Sequence, residues 1–274
     1  MQYSSWGLLV ADYERAILSL YDRPQQQIPA YGIPVPPPGP ELVRRAEAIS
    51  RTMAERVLRV NAASWREAAM KSTRAKEMYR ALSAEVNRTG VWSTIQQISR
   101  RNAKLIRSVP RAVSEEITRK STELQLAGER HETLQEKLRE IAPHLTRTKI
   151  RLIARTEISR AETDITVARA RGIGIEWGQW RSSNDQRVRP SHRLMNKVLV
   201  KFSDPPDPEI LAGEKSNAGH YLAGQTYNCR CVLLPVATLD EIEWPARVYT
   251  AGRIRRMNRP QFAKMIGARA GKAA

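Results

Sequence analysis

The sequence predicts an α+β protein: an N-terminal helical array, then a small antiparallel-sheet module, then a basic C-terminal tail. Three observations carry this. From Glu41 to Ile141 apolar residues recur every three to four positions, interrupted by Arg56 and Glu67 and punctuated by Gly90, Pro110 and Gly128. After Gly172 and Gly174 the period shortens to alternation, as in Val198, Val200 and Phe202. Helices therefore precede strands, and the strand–helix alternation of a doubly wound sheet is missing. From Arg247 to Ala274 there are Arg and Lys residues and no acid.

Composition narrows the class further. The 274 residues allow one large domain or two small ones. They hold 46 Lys+Arg against 28 Asp+Glu, a formal charge of +18, which implies an anionic partner: nucleic acid or an acidic protein surface. With 6% aromatics and two Phe, the core is mostly aliphatic and modest. Cys229 and Cys231 make no disulfide framework, and a bridge between them would close a small, strained ring. Free thiols or metal ligands are the expectation. No apolar run reaches the ~20 residues of a membrane span. No signal peptide is expected either, so the reading is a soluble intracellular protein close to nucleic acid.

Taken in order, residues 1–23 hold an amphipathic helix with Trp6, Leu8, Leu9, Tyr13, Ile17, Leu18 and Tyr21 on its stripe. It docks either on its own chain or on another protein. Residues 24–40 contain Pro24, Pro29, Pro34, Pro36, Pro37, Pro38 and Pro40, which exclude helix and favour an extended spacer. A polyproline ligand has the same composition. Residues 41–145 form the helical array. Its first helix carries Leu42, Ala46, Ile49, Met53, Val60 and Met70, resuming at Met78, Leu82 and Val86. Further helices are expected near 91–107, 111–126 and 129–141, the last ending before Pro143.

Residues 146–245 form the α+β module, opened by a helix at about 146–171. Glu157 lies within the apolar stripe of Ile150, Ile153, Ala154, Ala161 and Ile165, with Asp164 at its edge. A carboxylate on an inward face needs a partner. Arg187 and Arg189 downstream are the expected ones, in a structural ion pair rather than in catalysis, although both arginines have phosphate contact as their other reading. Ile175, Trp177 and Trp180 fit one strand, 198–202 a second and Val232–Leu234 a third, with 203–226 a long loop. Residues 246–274 read as the tail. Arg247, Arg253, Arg255, Arg256, Arg259, Lys264, Arg269 and Lys272 suit a sequence-blind DNA arm, or a disordered solvated segment.

Chemistry concentrates between Trp180 and Cys231. His192, Cys229 and Cys231 are the residue types of a structural zinc site, with Asp185 or His220 as fourth ligand. The bland alternative packs both cysteines as small apolar residues, with His192 bonded to backbone or to Glu157. A cysteine nucleophile with His192 as base is disfavoured, since nothing marks an oxyanion hole.

The helix ending in Arg155-Thr156-Glu157, the Trp180 strand, the loop Asp185-Gln186-Arg187-Val188-Arg189-Pro190-Ser191-His192 and the closing Asn228-Cys229-Arg230-Cys231 together resemble the phage Mu F-like head morphogenesis proteins, minor capsid proteins of tailed phages. The likeness spans about residues 110–235. It implies a non-enzymatic virion protein of the inner head near the portal, present in host cytoplasm during assembly and acting in capsid assembly and DNA packaging. Its implied partners are portal protein, major capsid protein and packaged double-stranded DNA, with scaffold as a further candidate and no membrane. It also couples Arg155, Glu157, Trp180, Asp185, Arg187, Arg189 and Asn228 as one structural network. Two places depart from the family pattern. Met195-Asn196-Lys197 replaces a glycine turn, with Asn196 suited to a left-handed position. Gly224-Gln225-Thr226-Tyr227 replaces a proline approach to the cysteines. The alternatives are a metal-dependent nucleic-acid-processing enzyme built on Asp185, His192, Cys229 and Cys231, and a plain DNA-binding module unrelated to virions.

Overall fold

A computed structural model describes residues 2–21, 35–71, 89–127, 131–216 and 218–267. Most of the proline-rich segment, Met78, Leu82, Val86, Arg269 and Lys272 lie outside the described residues. The chain divides into two units, Met1–Arg56 with Ile95–Ile158, and Val57–Thr94 with Ser159–Ala274.

The first unit is helical. It draws on α1 (Gln2–Tyr21), the start of α2 (Pro40–Lys71), most of α3 (Thr89–Arg107), α4 (Val109–Leu126) and the first part of α5 (His131–Gly172). The stripe of α1 is buried at Leu9, Tyr13, Ile17 and Leu20, one residue per turn. Ile17, Leu20, Ile98 and Ile106 are fully buried, each worth about 1.5–3 kcal/mol. Tyr13 Oη donates to Asn102 Oδ1 at 2.8 Å, and Tyr21 Oη donates to the carbonyl of Ile106. Of the two fates open to the first helix, packing on its own chain is the one observed. In α4, Pro110 sits in the first turn, where its missing N–H removes no helical bond.

The sequence suggested two helices separated at Pro143. The structure has one, α5, with Pro143 inside it. An interior proline deletes one hydrogen bond and crowds the preceding turn, at about 3 kcal/mol. Burial of Leu138 before the proline and of Thr146, Ile150 and Ile153 after it offsets that cost and carries the helix through.

The second unit contains a five-stranded sheet of order β3-β1-β2-β4-β5. Its strands are β1 (Trp177–Arg181), β2 (Val198–Lys201), β3 (Val232–Pro235), β4 (Ala246–Thr250) and β5 (Arg253–Met257). Short helices α6 (Pro190–Leu194) and α7 (Pro208–Leu211) lie in the loops, and α8 (Arg259–Met265) follows the last strand. All pairs are antiparallel except β2 with β4, where Val198 faces Arg247 in parallel register. Side chains alternate between two cores. Trp180, Val198, Val200, Leu233 and Tyr249 pack with Trp65, Ala170, Ile175, Met195 and Tyr221. Leu199, Ala246 and Val248 pack with Leu239, Ile242 and Phe262. Trp177 meets Phe262 edge-on at 5.0 Å.

The basic stretch expected as a tail is folded through Met265. Residues 246–257 form a hairpin that completes the sheet. Ala251 and Gly252 both have positive φ, 47° and 74°, which matches the two-residue turn whose twist suits paired strands. Asn258 then caps α8 in a reciprocal bond with Gln261, and Phe262 is buried. Among the described residues no helix is long and apolar enough to cross a membrane.

Candidate functional site

Four segments of the second unit converge on one cluster. Strand β1 supplies Trp180, α6 supplies His192, the loop before β3 supplies Cys229 and Cys231, and α7 with the loop after it supplies Glu209 and Tyr221. Asp207 starts α7 by accepting from the Ile210 N–H at 3.1 Å, with Pro208 in the first turn. That cap aims Glu209 inward, where it is 8% exposed.

His192 is 3% exposed, Cys229 6% and Cys231 3%. His192 Nδ1 lies 3.5 Å from Cys229 Sγ and 3.4 Å from Cys231 Sγ. On the other side of the ring, Nε2 is 2.9 Å from Tyr221 Oη, and Tyr221 Oη donates to Glu209 Oε1 at 2.6 Å. Because the tyrosine proton is committed to Glu209, Nε2 must be the donor to Tyr221. In the neutral ring this leaves Nδ1 bare and facing both sulfurs. Burial, then the Glu209 carboxylate, raises the Tyr221 hydroxyl further above its ordinary range. Hydrogen bonding from Cys231 foremost draws the Cys229 thiol below its ordinary range against the opposing effect of burial, while the same thiol pairing and burial raise Cys231. Trp180 is fully buried and closes the cluster edge-on to His192, ring centroids 5.5 Å apart.

Around this cluster the 184–189 loop is fastened to the cysteine segment. Arg230 grips Asp185 with two parallel bonds, Nη1–Oδ2 at 2.5 Å and Nη2–Oδ1 at 2.6 Å. The Arg187 N–H also donates to Asp185 Oδ1 at 2.9 Å, and Arg230 foremost holds the Asp185 carboxyl below its usual range. Arg189 donates to the Tyr227 carbonyl at 2.7 Å. Asn184 and Asn228 take positive φ, 54° and 51°, the region asparagine tolerates best after glycine. On α5, Ser159 donates to the Cys229 carbonyl at 3.2 Å and Thr163 to that of Ala223 at 2.6 Å.

Several expectations need correction. The described partners of Glu157 are Arg101 and Asn102, where Arg187 and Arg189 were expected. Glu157 is 2% exposed in the first unit, and its Oε2 accepts from Arg101 Nε at 2.8 Å and Asn102 Nδ2 at 3.1 Å. Arg155, from the same motif, is exposed. Neither suggested fourth ligand joins the cluster: Asp185 belongs to Arg230, and His220 is exposed with Nδ1 donating to the Pro205 carbonyl at 2.9 Å. Among the described residues the ligand-type group is His192, Cys229 and Cys231 alone, so the four-residue enzyme constellation is not assembled. At the replaced turn, Lys197 (φ 63°) adopts the left-handed conformation, while Asn196 Oδ1 accepts from the Ser182 N–H at 3.1 Å. Arg247, expected on the basic arm, turns into the fold. Its guanidinium donates to the carbonyls of Leu194, at 2.9 Å, and Asn196. Arg259 pairs with Asp240 at 2.8 Å. Arg253, Arg255, Arg256 and Lys264 face solvent.

Tyr221, Glu209, Arg230 and Thr163 were missed from sequence. Only Glu209 had a usable signal: Asp207-Pro208-Glu209 is a helix start.

The sequence profile of the family described as Phage Mu protein F like protein matches residues 112–234, a little under half of the chain. The match bears out the resemblance read from the Glu157 helix, the Asp185–His192 loop and the Asn-Cys-Arg-Cys motif. An uncharacterized protein of Haemophilus influenzae is 24% identical over 155 residues, covering 57% of this chain. The aligned stretch spans 32% of that relative's length. No solved structure matches the chain.

Proposed function

We propose that this chain is a structural head morphogenesis protein of a tailed phage, a minor capsid component without catalytic work. It acts in capsid assembly and DNA packaging at the portal and inner face of the head, touching portal or major capsid protein and packaged DNA. The observation that carries the reading is the Mu F-like match across residues 112–234, which includes every element of the fastened loop. The site chemistry supports a non-catalytic role. Of the acids singled out in the sequence, Glu157 pairs with Arg101 and Asp185 with Arg230, while Asp164 accepts from Gln225 at 2.8 Å. The formal charge of +18 and the exposed Arg253, Arg255, Arg256 and Lys264 support a DNA-facing surface.

The test is sedimentation of phage heads and of isolated portal rings with and without the protein. Co-sedimentation is expected, and a chain that never travels with either sinks the proposal. DNA binding is tested separately by affinity against salt. Replacing Arg253, Arg255 and Arg256 by alanine lowers the magnitude of the log–log slope by about 0.9 for each phosphate no longer neutralised. An unchanged slope removes those residues from the interface.

A further inference from the structure

We infer that His192, Cys229 and Cys231 bind one thiophilic divalent cation, zinc by preference, through Nδ1 and the two sulfurs. Four features of the geometry agree on this.

Both nitrogen–sulfur spacings are already those of a coordination tetrahedron. Zn–S bonds of about 2.3 Å and a Zn–N bond of about 2.0–2.1 Å, opened at the tetrahedral angle, set sulfur and nitrogen about 3.5 Å apart. The two separations measure 3.5 and 3.4 Å, and all three ligand atoms lie within 4.8 Å of one another. A shared proton explains this arrangement less well. One bare nitrogen lone pair cannot accept well from two thiols at once, whereas one cation satisfies the nitrogen and both sulfurs together.

The ring is held in the ligating tautomer. Glu209 accepts from Tyr221, and Tyr221 in turn accepts from His192 Nε2, which is a carboxylate relay behind the ring. Metal-binding histidines characteristically give their second N–H to such a partner, fixing the ring and raising its basicity.

A tight turn brings both sulfurs to one nitrogen. Asn228, in its left-handed conformation, turns the chain just ahead of Cys229, so that both sulfurs of the Cys-x-Cys pair reach the same nitrogen.

The chemistry of the donor set selects the metal. Two thiolates and one imidazole suit zinc, whereas calcium and magnesium take oxygen ligands. Among the described residues no side chain stands as a fourth ligand: Asp185 and His220 are engaged elsewhere, and Glu209 reaches only Nε2, at 4.0 Å. Such a cation ties α6 to the segment before β3, as the Asp185–Arg230 pair does from the loop above it.

The experiment uses the full chain, purified under reducing conditions. Metal analysis is expected to find one zinc per chain. Cobalt(II) in its place is expected to give a thiolate-to-cobalt charge-transfer band and the intense visible bands of a tetrahedral ion. Cys229→Ser and Cys231→Ser each abolish the band pattern, while Asp185→Asn and His220→Ala keep it. Tyr221→Phe keeps the three ligands and weakens affinity by about 10–100-fold. If the serine variants do not fold, the wild-type chain still decides the matter: zinc must slow modification of both thiols by a disulfide reagent, and a chelator must restore the rate. Cobalt bands that survive both serine substitutions, or thiols that react equally fast with and without zinc, overturn the inference.

Discussion

Gly224→Ala isolates the seam between α5 and the cysteine segment. Gly224 has φ +89°, and a Cβ built there would lie 2.5 Å from Thr163 Oγ1, 3.1 Å from Ser159 Oγ and 3.2 Å from the Ser159 carbonyl. The positive φ alone costs about 1–2 kcal/mol for an L side chain. Relief of the 2.5 Å approach requires Thr163 to turn away, breaking its 2.6 Å bond to the Ala223 carbonyl. A buried carbonyl left without its donor adds about 1–3 kcal/mol. The expected loss is therefore about 2–5 kcal/mol, read as a lower urea midpoint at constant m-value. Gly252→Ala is the control. Gly252 has φ +74° with nothing within 4 Å of its Cβ position, so only the backbone contribution of about 1–2 kcal/mol applies. Thr163→Ala removes the obstructing hydroxyl, so the double substitution with Gly224→Ala should cost less than the sum of the singles by about 1–2 kcal/mol. Equal losses for the two glycine variants, or strict additivity with Thr163→Ala, would refute the reasoning.

The other outcomes follow from ion pairs and buried carboxyls. Glu157→Leu strands Arg101 and Asn102 around an apolar side chain, and a loss of about 3–5 kcal/mol in chemical denaturation is expected, against a smaller loss for Glu157→Gln. A neutral Leu variant contradicts this. Burial pushes the Glu162 carboxyl up to about 7, against donation from Thr166 and Asn61. A carboxyl raised in the fold contributes stability below its unfolded value, near 4.5, and loses it as pH rises through about 7. Wild-type stability should therefore fall by about 2–3 kcal/mol between pH 4.5 and 8, and Glu162→Gln should flatten that fall and exceed wild type at pH 8. Parallel profiles for the two proteins rule this out. Arg247→Ala should cost about 2–4 kcal/mol by removing the guanidinium from the Leu194 and Asn196 carbonyls, with no rescue by lysine, which lacks the fork. Its salt dependence on DNA should equal wild type. A shallower slope with unchanged stability would return Arg247 to the DNA surface.

Local chemistry made part of this molecule readable and left the rest to tertiary structure. Trp180, His192, Cys229 and Cys231 stood out because few other folds of a short stretch need those residue types so close together. Glu157 was readable as a buried acid from its place in an apolar stripe. Its partners were not, because α3 and α5 meet through packing that no local spacing encodes, and nearness in sequence to the loop arginines misled. The Tyr221–Glu209 relay joins two points of a Pro- and Gly-rich segment with no periodicity to mark either one. β5 was hidden by its own composition: Arg253, Arg255 and Arg256 outweighed the Ile254 and Met257 that anchor it, and the run read as a charged tail. At Pro143 a sound local rule lost to burial on both sides of the proline.

The two outer strands of the sheet are unlike. β5 ends it with three exposed arginines along five residues. β3 ends the other side with Val232 at 38% and Leu234 at 45% exposure, and among the described residues no strand pairs with its outer margin. Charge on an outer strand repels an incoming chain, while exposed aliphatic side chains on one invite it. The sheet therefore has a direction. Strand addition from another polypeptide is opposed at β5 and favoured at β3, which stands next to β1 and the Trp180 layer. An extended segment docking there would be laid one strand away from the histidine–cysteine cluster, and Pro235 would limit how far along β3 the new ladder could run.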